Sequence, residues 1–373
     1  DEDALLPLLW RAAEYAEHTA SSSFAIRLYE ALRRRIPAGS RGWFKVLDKL
    51  SVLYWRSAKA DDSLECVRVA SENAEFWKYP EYAVSIAALF VGLHLHSGMI
   101  EEADKFVKTA MGRLSDKKSS RLRYKLIVQE ARVAHASGEL QKARHLYLKA
   151  RRTASIRKDN DELNLIDMWL VPLECHLGQF DDAIRRSRSV LRRKSAARFR
   201  SSIYNSLGAI YHTLGKPSNA LRYFRLSVEA AEEAGNLVVA TYARSNMGSV
   251  LCDYGEYEKA LSLHAAAKHV FQMLGDKLDI TTTLLDIGRI HLASGRTREA
   301  LATCEQAFEV AQSTESPILK AGVLVHRGKV RGVLGDTRGA LNDLDEALRL
   351  SHQMKANRET AGNLCDRAYV FAF

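Results

Sequence analysis

Apolar residues recur at helical spacing along the chain, and no segment sustains the two-residue alternation of a half-buried strand. Val239 to Tyr254 is one such amphipathic run, closed by Gly255 and Glu256, and Tyr257 to Leu274 is the next. The pair predicts two helices joined by a tight turn on a left-handed glycine. The same pattern is written four times between Ser202 and Leu350: SLGAIYHTLGKPSNAL, NMGSVLCDYGEYEKAL, DIGRIHLASGRTREAL and HRGKVRGVLGDTRGAL. Gly208, Gly248, Gly288 and Gly328 lie 40 apart, as do Gly215, Gly255, Gly295 and Gly335, and Ala220, Ala260, Ala300 and Ala340. A fixed period of this length predicts a solenoid, in which each unit buries surface only against its neighbours.

Carried towards residue 1, the ruler meets Gly178, Gly138 and Gly98, with one step of 37, and the alanines Ala183, Ala143 and Ala103. Ala58 with Ser63, and Ala20 with Ala25, mark two degenerate copies. The expected fold class is all-α: one right-handed solenoid over 1–373, of about eight helical hairpins plus a terminal helix. Repeats are expected near 5–38, 44–78, 84–118, 124–158, 164–200, 201–236, 241–276, 281–316 and 321–355, then an incomplete copy at 361–373. The mid-helix glycines each cost about 1 kcal/mol relative to alanine. Their recurrence at one phase predicts a helix crossing too close for a side chain, with Ala220 and its equivalents facing it.

Composition narrows the function. Apolar residues make up 47% and charged residues 27%, with few prolines (6) and glycines (21), which is globular rather than disordered. The net charge of +10 suits an acidic partner without naming one. Five cysteines, Cys66, Cys175, Cys252, Cys304 and Cys365, stand far apart with no CxxC pair, as expected of reduced core thiols in a cytoplasmic protein. No run of 18 apolar residues and no secretory segment points to a membrane. The chain opens on Asp1 rather than Met and stops inside a repeat, so it reads as a piece of a longer protein.

Catalytic and metal motifs are missing. There is no GxxxxGK[ST], HExxH or GxSxG. His94 and His96 fall on different helical faces, and His264 and His269 are five apart. The histidines read as surface or groove-lining side chains, not ligands. Asp61-Asp62, Glu101-Glu102 and Asp181-Asp182 follow turns, where acids favour a helix start. No enzyme, no cofactor and no metal is therefore expected. One charge run stands out: Arg185, Arg186, Arg188, Arg192, Arg193, Lys194, Arg198 and Arg200 place eight cations in sixteen residues with no acid. Read as helical, Arg185, Arg188 and Arg192 share one face and Arg186, Arg193 and Arg200 another. This basic ridge is either a solvated face or a dock for an acidic domain or nucleic-acid phosphate.

In the best copy, Leu207, Gly208, Tyr211, Gly215, Ala220 and Tyr223-Phe224 set out small residue, tyrosine, turn glycine, alanine and aromatic in an order that resembles the tetratricopeptide repeat. The resemblance covers essentially the whole chain. It departs in length, since that repeat usually spans about 34 residues. Tyr204, Arg244, Leu284 and Leu324 stand in place of its first-helix tryptophan, and its closing proline is absent. The opening stretch LLPLLWRAAEYAEHTASSSFAIRLYEALRRRIP is similar to the repeat after the ATPase module in multidomain bacterial regulators. That implies a sensor or adaptor arm in signal transduction, holding a peptide, a protein segment or an effector domain of the same polypeptide.

In that family, specificity lies in a groove lined by first helices. The resemblance places Lys45, Asp48, Lys49, Trp55, Arg56, His96, Lys125, Gln129, Arg132, His135, Trp169 and His176 there. Towards the other end it places Asn205, His212, Tyr242, Asn246, Asp253, Asp286, Arg289, His326 and Lys329. This mixed lining suits a peptide main chain and an acidic side chain or terminus. The carboxylate clamp of the family's chaperone-tail receptors is not restored, because Asp48, Val52, Ala88 and Gly92 occupy its positions. A third reading, phosphatase-like action on a response regulator, would need Gln129 or Asp286 to project from the groove.

Overall fold

A computed structural model describes residues 2–18, 22–57, 59–96, 99–114, 122–314 and 316–353. The described residues fold as an all-α solenoid of helical hairpins and contain no strand. The helix pairs are α1 (Glu2–His18) with α2 (Ser22–Arg35), α3 (Arg41–Arg56) with α4 (Ala60–Glu72), and α5 (Pro80–His96) with α6 (Ile100–Arg113). Next come α7 (Arg123–Ala136) with α8 (Leu140–Ile156), α9 (Asn160–His176) with α10 (Phe180–Leu191), and α11 (Arg200–Thr213) with α12 (Pro217–Glu233). The last are α13 (Leu237–Asp253) with α14 (Tyr257–Leu274), α15 (Lys277–Ala293) with α16 (Thr297–Gln312), and α17 (Pro317–Val333) with α18 (Thr337–Gln353). Among the described residues these are nine hairpins, one for each of the nine repeat ranges, where about eight were expected. The incomplete copy at 361–373, with Cys365, lies outside the described residues, as does Gly98. The chain divides into two compact units, Asp1–Thr153 and Ala154–Phe373.

Within the first unit α2, α4 and α6, and within the second α10, α12, α14 and α16, pack between their own first helix and the next one, while first helices also touch first helices. In the first unit α5 contacts α3 and α7; in the second α11, α13, α15 and α17 stand in sequence, with α9 against α11. The first helices thus form a continuous face within each unit.

The close crossing expected from the glycines lies inside each hairpin. A position on the first helix meets a residue sixteen further on, in the second helix. Gly208 meets the Phe224 ring, where a Cβ would sit 2.5 Å away; Gly248 meets His264 at 2.8 Å, Gly288 meets the Cys304 sulfur at 3.3 Å, and Gly328 meets Leu344 at 3.1 Å. The same register holds Ala13 with Tyr29, Ala131 with Tyr147, Ser51 with Val67, Val91 with Val107 and Val171 with Ser187, all buried. Glycine or alanine on the first helix goes with Phe, Tyr, His or Leu on the second, except at Gly288, where the partner is Cys304; the remaining pairs combine valine and serine. Native packing density leaves room for one bulk at each crossing.

Turn chemistry keeps the period. Gly138, Gly178, Gly215, Gly255, Gly295 and Gly335 close the hairpins with φ between 64° and 83°, where a side chain would be strained. First helices open on side-chain caps: Asp159 accepts from the Glu162 amide (3.1 Å), Asn236 from Val239 (3.2 Å), Asp276 from Asp279 (3.0 Å) and Ser316 from Leu319 (3.3 Å).

Candidate binding face on the first helices

In the second unit the face of α11, α13, α15 and α17 is polar and knitted from hairpin to hairpin. Asn246 Nδ2 donates to Asn205 Oδ1 (2.9 Å), and His212 Nε2 lies 2.7 Å from Asp253 Oδ2. Arg289 Nη2 lies 3.4 Å from Ser249 Oγ and 3.3 Å from Asp286 Oδ1. His326 and Lys329, on α17, are half-buried on the same face. Tyr242 is 37% exposed and donates its hydroxyl to Asp279. Sequence reasoning therefore placed Asn205, His212, Tyr242, Asn246, Asp253, Asp286, Arg289, His326 and Lys329 on the helices that form this face. It did not foresee that they bond to one another across hairpins. On α9, Trp169 is half-buried and His176 exposed.

The first unit differs. Lys45 pairs with Glu14 (3.0 Å) and lies over the Trp10 ring, while Lys49 pairs with Glu17 (3.0 Å), which also accepts from the Tyr29 hydroxyl (3.1 Å). Their charge is matched locally. Asp48 is largely buried, and burial pushes its carboxyl above the usual range. Gln129 is buried and accepts from Arg132 Nη1 (2.7 Å), so it does not project from the face as the phosphatase-like reading requires. Arg132 also donates to the Ala88 carbonyl (3.1 Å), across Gly92, whose missing side chain leaves room for the guanidinium. Lys125 and His135 are half-buried and Trp55 is 37% exposed; the side chains of Arg56 and His96 lie outside the described set.

The basic ridge is not one helical surface. Helix α10 stops at Leu191, and a 3-10 segment, Lys194–Phe199, leads into α11. Arg186 turns inward and binds Glu174 through Nε (3.0 Å) and Asp167 through Nη1 (2.8 Å). Arg193 joins them, with Nη2 2.9 Å from Asp167 and Nη1 donating to Asn164 Oδ1 (2.8 Å), while Asn164 donates to Ser195 (3.0 Å). Asp167 and Glu174 are fully buried. The expected face of Arg186, Arg193 and Arg200 is therefore split: two of the three hold the interior of the shortened fifth hairpin, where the 37-residue step falls. Arg185, Arg188, Arg192 and Arg200 stay exposed, Arg185 beside Asp182 and Arg188 3.2 Å from the Tyr211 hydroxyl. The side chains of Lys194 and Arg198 lie outside the described set.

One residue escaped the sequence reading. His264, expected among surface or groove-lining histidines, is fully buried behind the face, in the slot that Phe224 fills one hairpin earlier. Its Nδ1 lies 3.0 Å from Ser245 Oγ and 3.9 Å from Asp286 Oδ2, and its Nε2 rests against Gly248 with no hydrogen-bond partner. The 40-residue register was the signal that could have found it. Burial first, and Arg289 second, press its pKa down to about 4. A folded pKa below the unfolded value gives stability that is whole above about 6.5. That stability is lost as pH falls towards 4, with a slope of at most about 1.4 kcal/mol per pH unit. His264→Phe is expected to flatten the acid limb of urea midpoints measured between pH 7 and 4; an unchanged limb would mean that the imidazole does not titrate there.

Among the described residues no group of three or more His, Cys, Asp or Glu could hold a metal ion, and no helix is long and apolar enough to cross a membrane. Of the described thiols Cys66, Cys252 and Cys304 are buried and Cys175 half-buried, and burial raises each of them.

Fold and face together define a helical-repeat interaction scaffold. Profiles described as tetratricopeptide repeat match residues 201–233 and 239–313, so the chain carries tetratricopeptide repeats over those residues. No curated protein sequence matches the chain. Among solved structures it is similar to a signal transduction ATPase with numerous domains from Pyrococcus horikoshii, which has a tetratricopeptide repeat sensor (15% identity, TM-score 0.56). The match covers 96% of this chain, which spans 55% of the length of that protein. It is also similar to the apo form of the quorum sensor NprR from B. thuringiensis (12%, TM-score 0.58; 94% of this chain, 98% of that one). A third is NprR in complex with its cognate peptide NprX (10%, TM-score 0.54; 88% and 84%). At these identities the likeness is one of fold.

Proposed function

We propose that the chain is a non-catalytic sensor or adaptor that holds an extended peptide or protein segment on the first-helix face of its second unit. The observation that carries this reading is the Asn246–Asn205 amide pair on an accessible face (2.9 Å), flanked by Ser249, Tyr242 and Arg289. Carboxamides donate and accept at once, as a peptide main chain requires. Solenoids commonly bind through such extended faces, and NprR, with a similar fold, is described in complex with a peptide. The setting that fits is a cytoplasmic arm of a larger bacterial regulator, with a separate peptide or an effector domain of the same polypeptide as the occupant.

The test uses the 373-residue chain, immobilised and exposed to a randomised heptapeptide library. Wild type is expected to retain a defined pool, and Asn205→Ala, Asn246→Ala and Arg289→Ala combined to lose most of it. Equal retention by the triple variant would show that the face is elsewhere.

A further inference from the structure

The rows that cross this face change chemistry along it. One row reads Ser206, Asn246, Asp286, His326, and the next reads Ala209, Ser249, Arg289, Lys329, each step being 40 residues. The sixth and seventh hairpins therefore present amides and hydroxyls, and the eighth and ninth present charges. At the charged end Arg289 and Lys329 are cations, and Asp286 is the single acid of the two rows. Three other ionic groups of these helices have described partners of their own. Arg327 and Arg331 are tied to buried Asp343 (2.6 and 2.9 Å), and Asp253 lies beside His212 one hairpin earlier.

Asp286 sits deeper than the guanidinium it faces: its side chain is 30% exposed, that of Arg289 47%. Its Oδ1 makes a loose 3.3 Å ion pair with Arg289, and its Oδ2 is 3.9 Å from buried His264. Burial raises its carboxyl, against the pull of Arg289 and His326. A guanidinium fork accepts a carboxylate in a two-pronged, near-planar arrangement at shorter distance. The present contact is not of that kind, and the outer side of Arg289 remains open.

We propose that the eighth and ninth hairpins form an acid-taking subsite of the peptide face. Asp286 acts there as a built-in carboxylate, displaced from Arg289 by an aspartate, a glutamate or a C-terminal carboxylate of the bound peptide. This rests on the peptide reading above and adds direction and spacing to it. Packed helices lie about 10 Å apart, and an extended chain rises about 3.3 Å per residue. One hairpin step thus corresponds to about three residues, which puts the acid about three to six residues from the segment held by Asn205 and Asn246. Displacing Asp286 exchanges one ion pair for another, so affinity gains less than from an unoccupied guanidinium. Selectivity for acid over base gains fully, since a lysine would meet Arg289 and Lys329.

Sequencing the retained heptapeptides position by position tests this, with circular dichroism confirming that each variant is folded. Wild type should enrich Asp or Glu at one end of the peptide. Asp286→Asn should raise retention of acidic peptides about tenfold, the scale of one charged hydrogen bond. Arg289→Glu with Lys329→Glu should exchange that preference for Lys or Arg; Lys329→Glu alone, at a half-buried site, is the milder variant and should at least abolish it. A retained pool indifferent to acid in wild type and in all variants overturns the subsite and leaves the peptide reading standing. No retained pool in wild type overturns the peptide reading itself.

Discussion

Arg186→Met is expected to cost the chain about 3–5 kcal/mol, because it leaves a buried carboxylate without its cation. Glu174 is fully buried, and among the described contacts Arg186 is the cation that meets it; Asp167 keeps Arg193. Two charges held in a low-dielectric interior are tolerable only as a pair, so removing one partner is worse than removing both. Adding Glu174→Leu to Arg186→Met should therefore recover most of the loss. Arg185→Met, which removes an exposed cation one residue earlier, should cost under about 1 kcal/mol. Urea midpoints of the three variants decide. Equal, small losses at Arg186 and Arg185 would mean that Glu174 does not depend on this cation.

Gly208→Ala should destabilise by about 1–3 kcal/mol despite alanine's better helix propensity, since its Cβ would lie 2.5 Å from a fully buried Phe224 ring. The other hairpins grade this effect. At Gly248 the neighbour is an imidazole edge at 2.8 Å, and at Gly288 a single sulfur at 3.3 Å. Losses should fall in the order Gly208→Ala, Gly248→Ala, Gly288→Ala. The last should come near zero, or slightly stabilising, as the propensity gain of about 1 kcal/mol offsets a small shift. Equal losses at all three would place the cause in the backbone rather than in the facing side chain.

These two sites show where sequence reasoning reached and where it stopped. The glycine ladder was legible because a crossing too tight for a side chain leaves the same mark every 40 residues. The partner was not, because Phe224, His264, Cys304 and Leu344 share a slot but no chemistry. His264 thus read as one more polar helix residue, although its register placed it inside. The basic run misled in the opposite direction. A string of cations with no acid looks like surface, yet the acids that claim Arg186 and Arg193 lie on the preceding helix, 12 to 26 positions away. Sequence adjacency carries no trace of such pairs. The positions expected on the first-helix face came from the repeat resemblance, with the period carrying them from copy to copy. The face's bonds from hairpin to hairpin depend on rotamers that a period does not encode.

Hydrogen exchange of the whole chain decides whether the first-helix face of the second unit holds an extended peptide. The heptapeptide pool retained by wild type serves as the ligand. Exchange is expected to slow on α11, α13, α15 and α17 when the pool is added, with α12, α14, α16 and α18 unchanged. Protection confined to those second helices, or to Arg185–Arg200, would contradict that placement of the peptide.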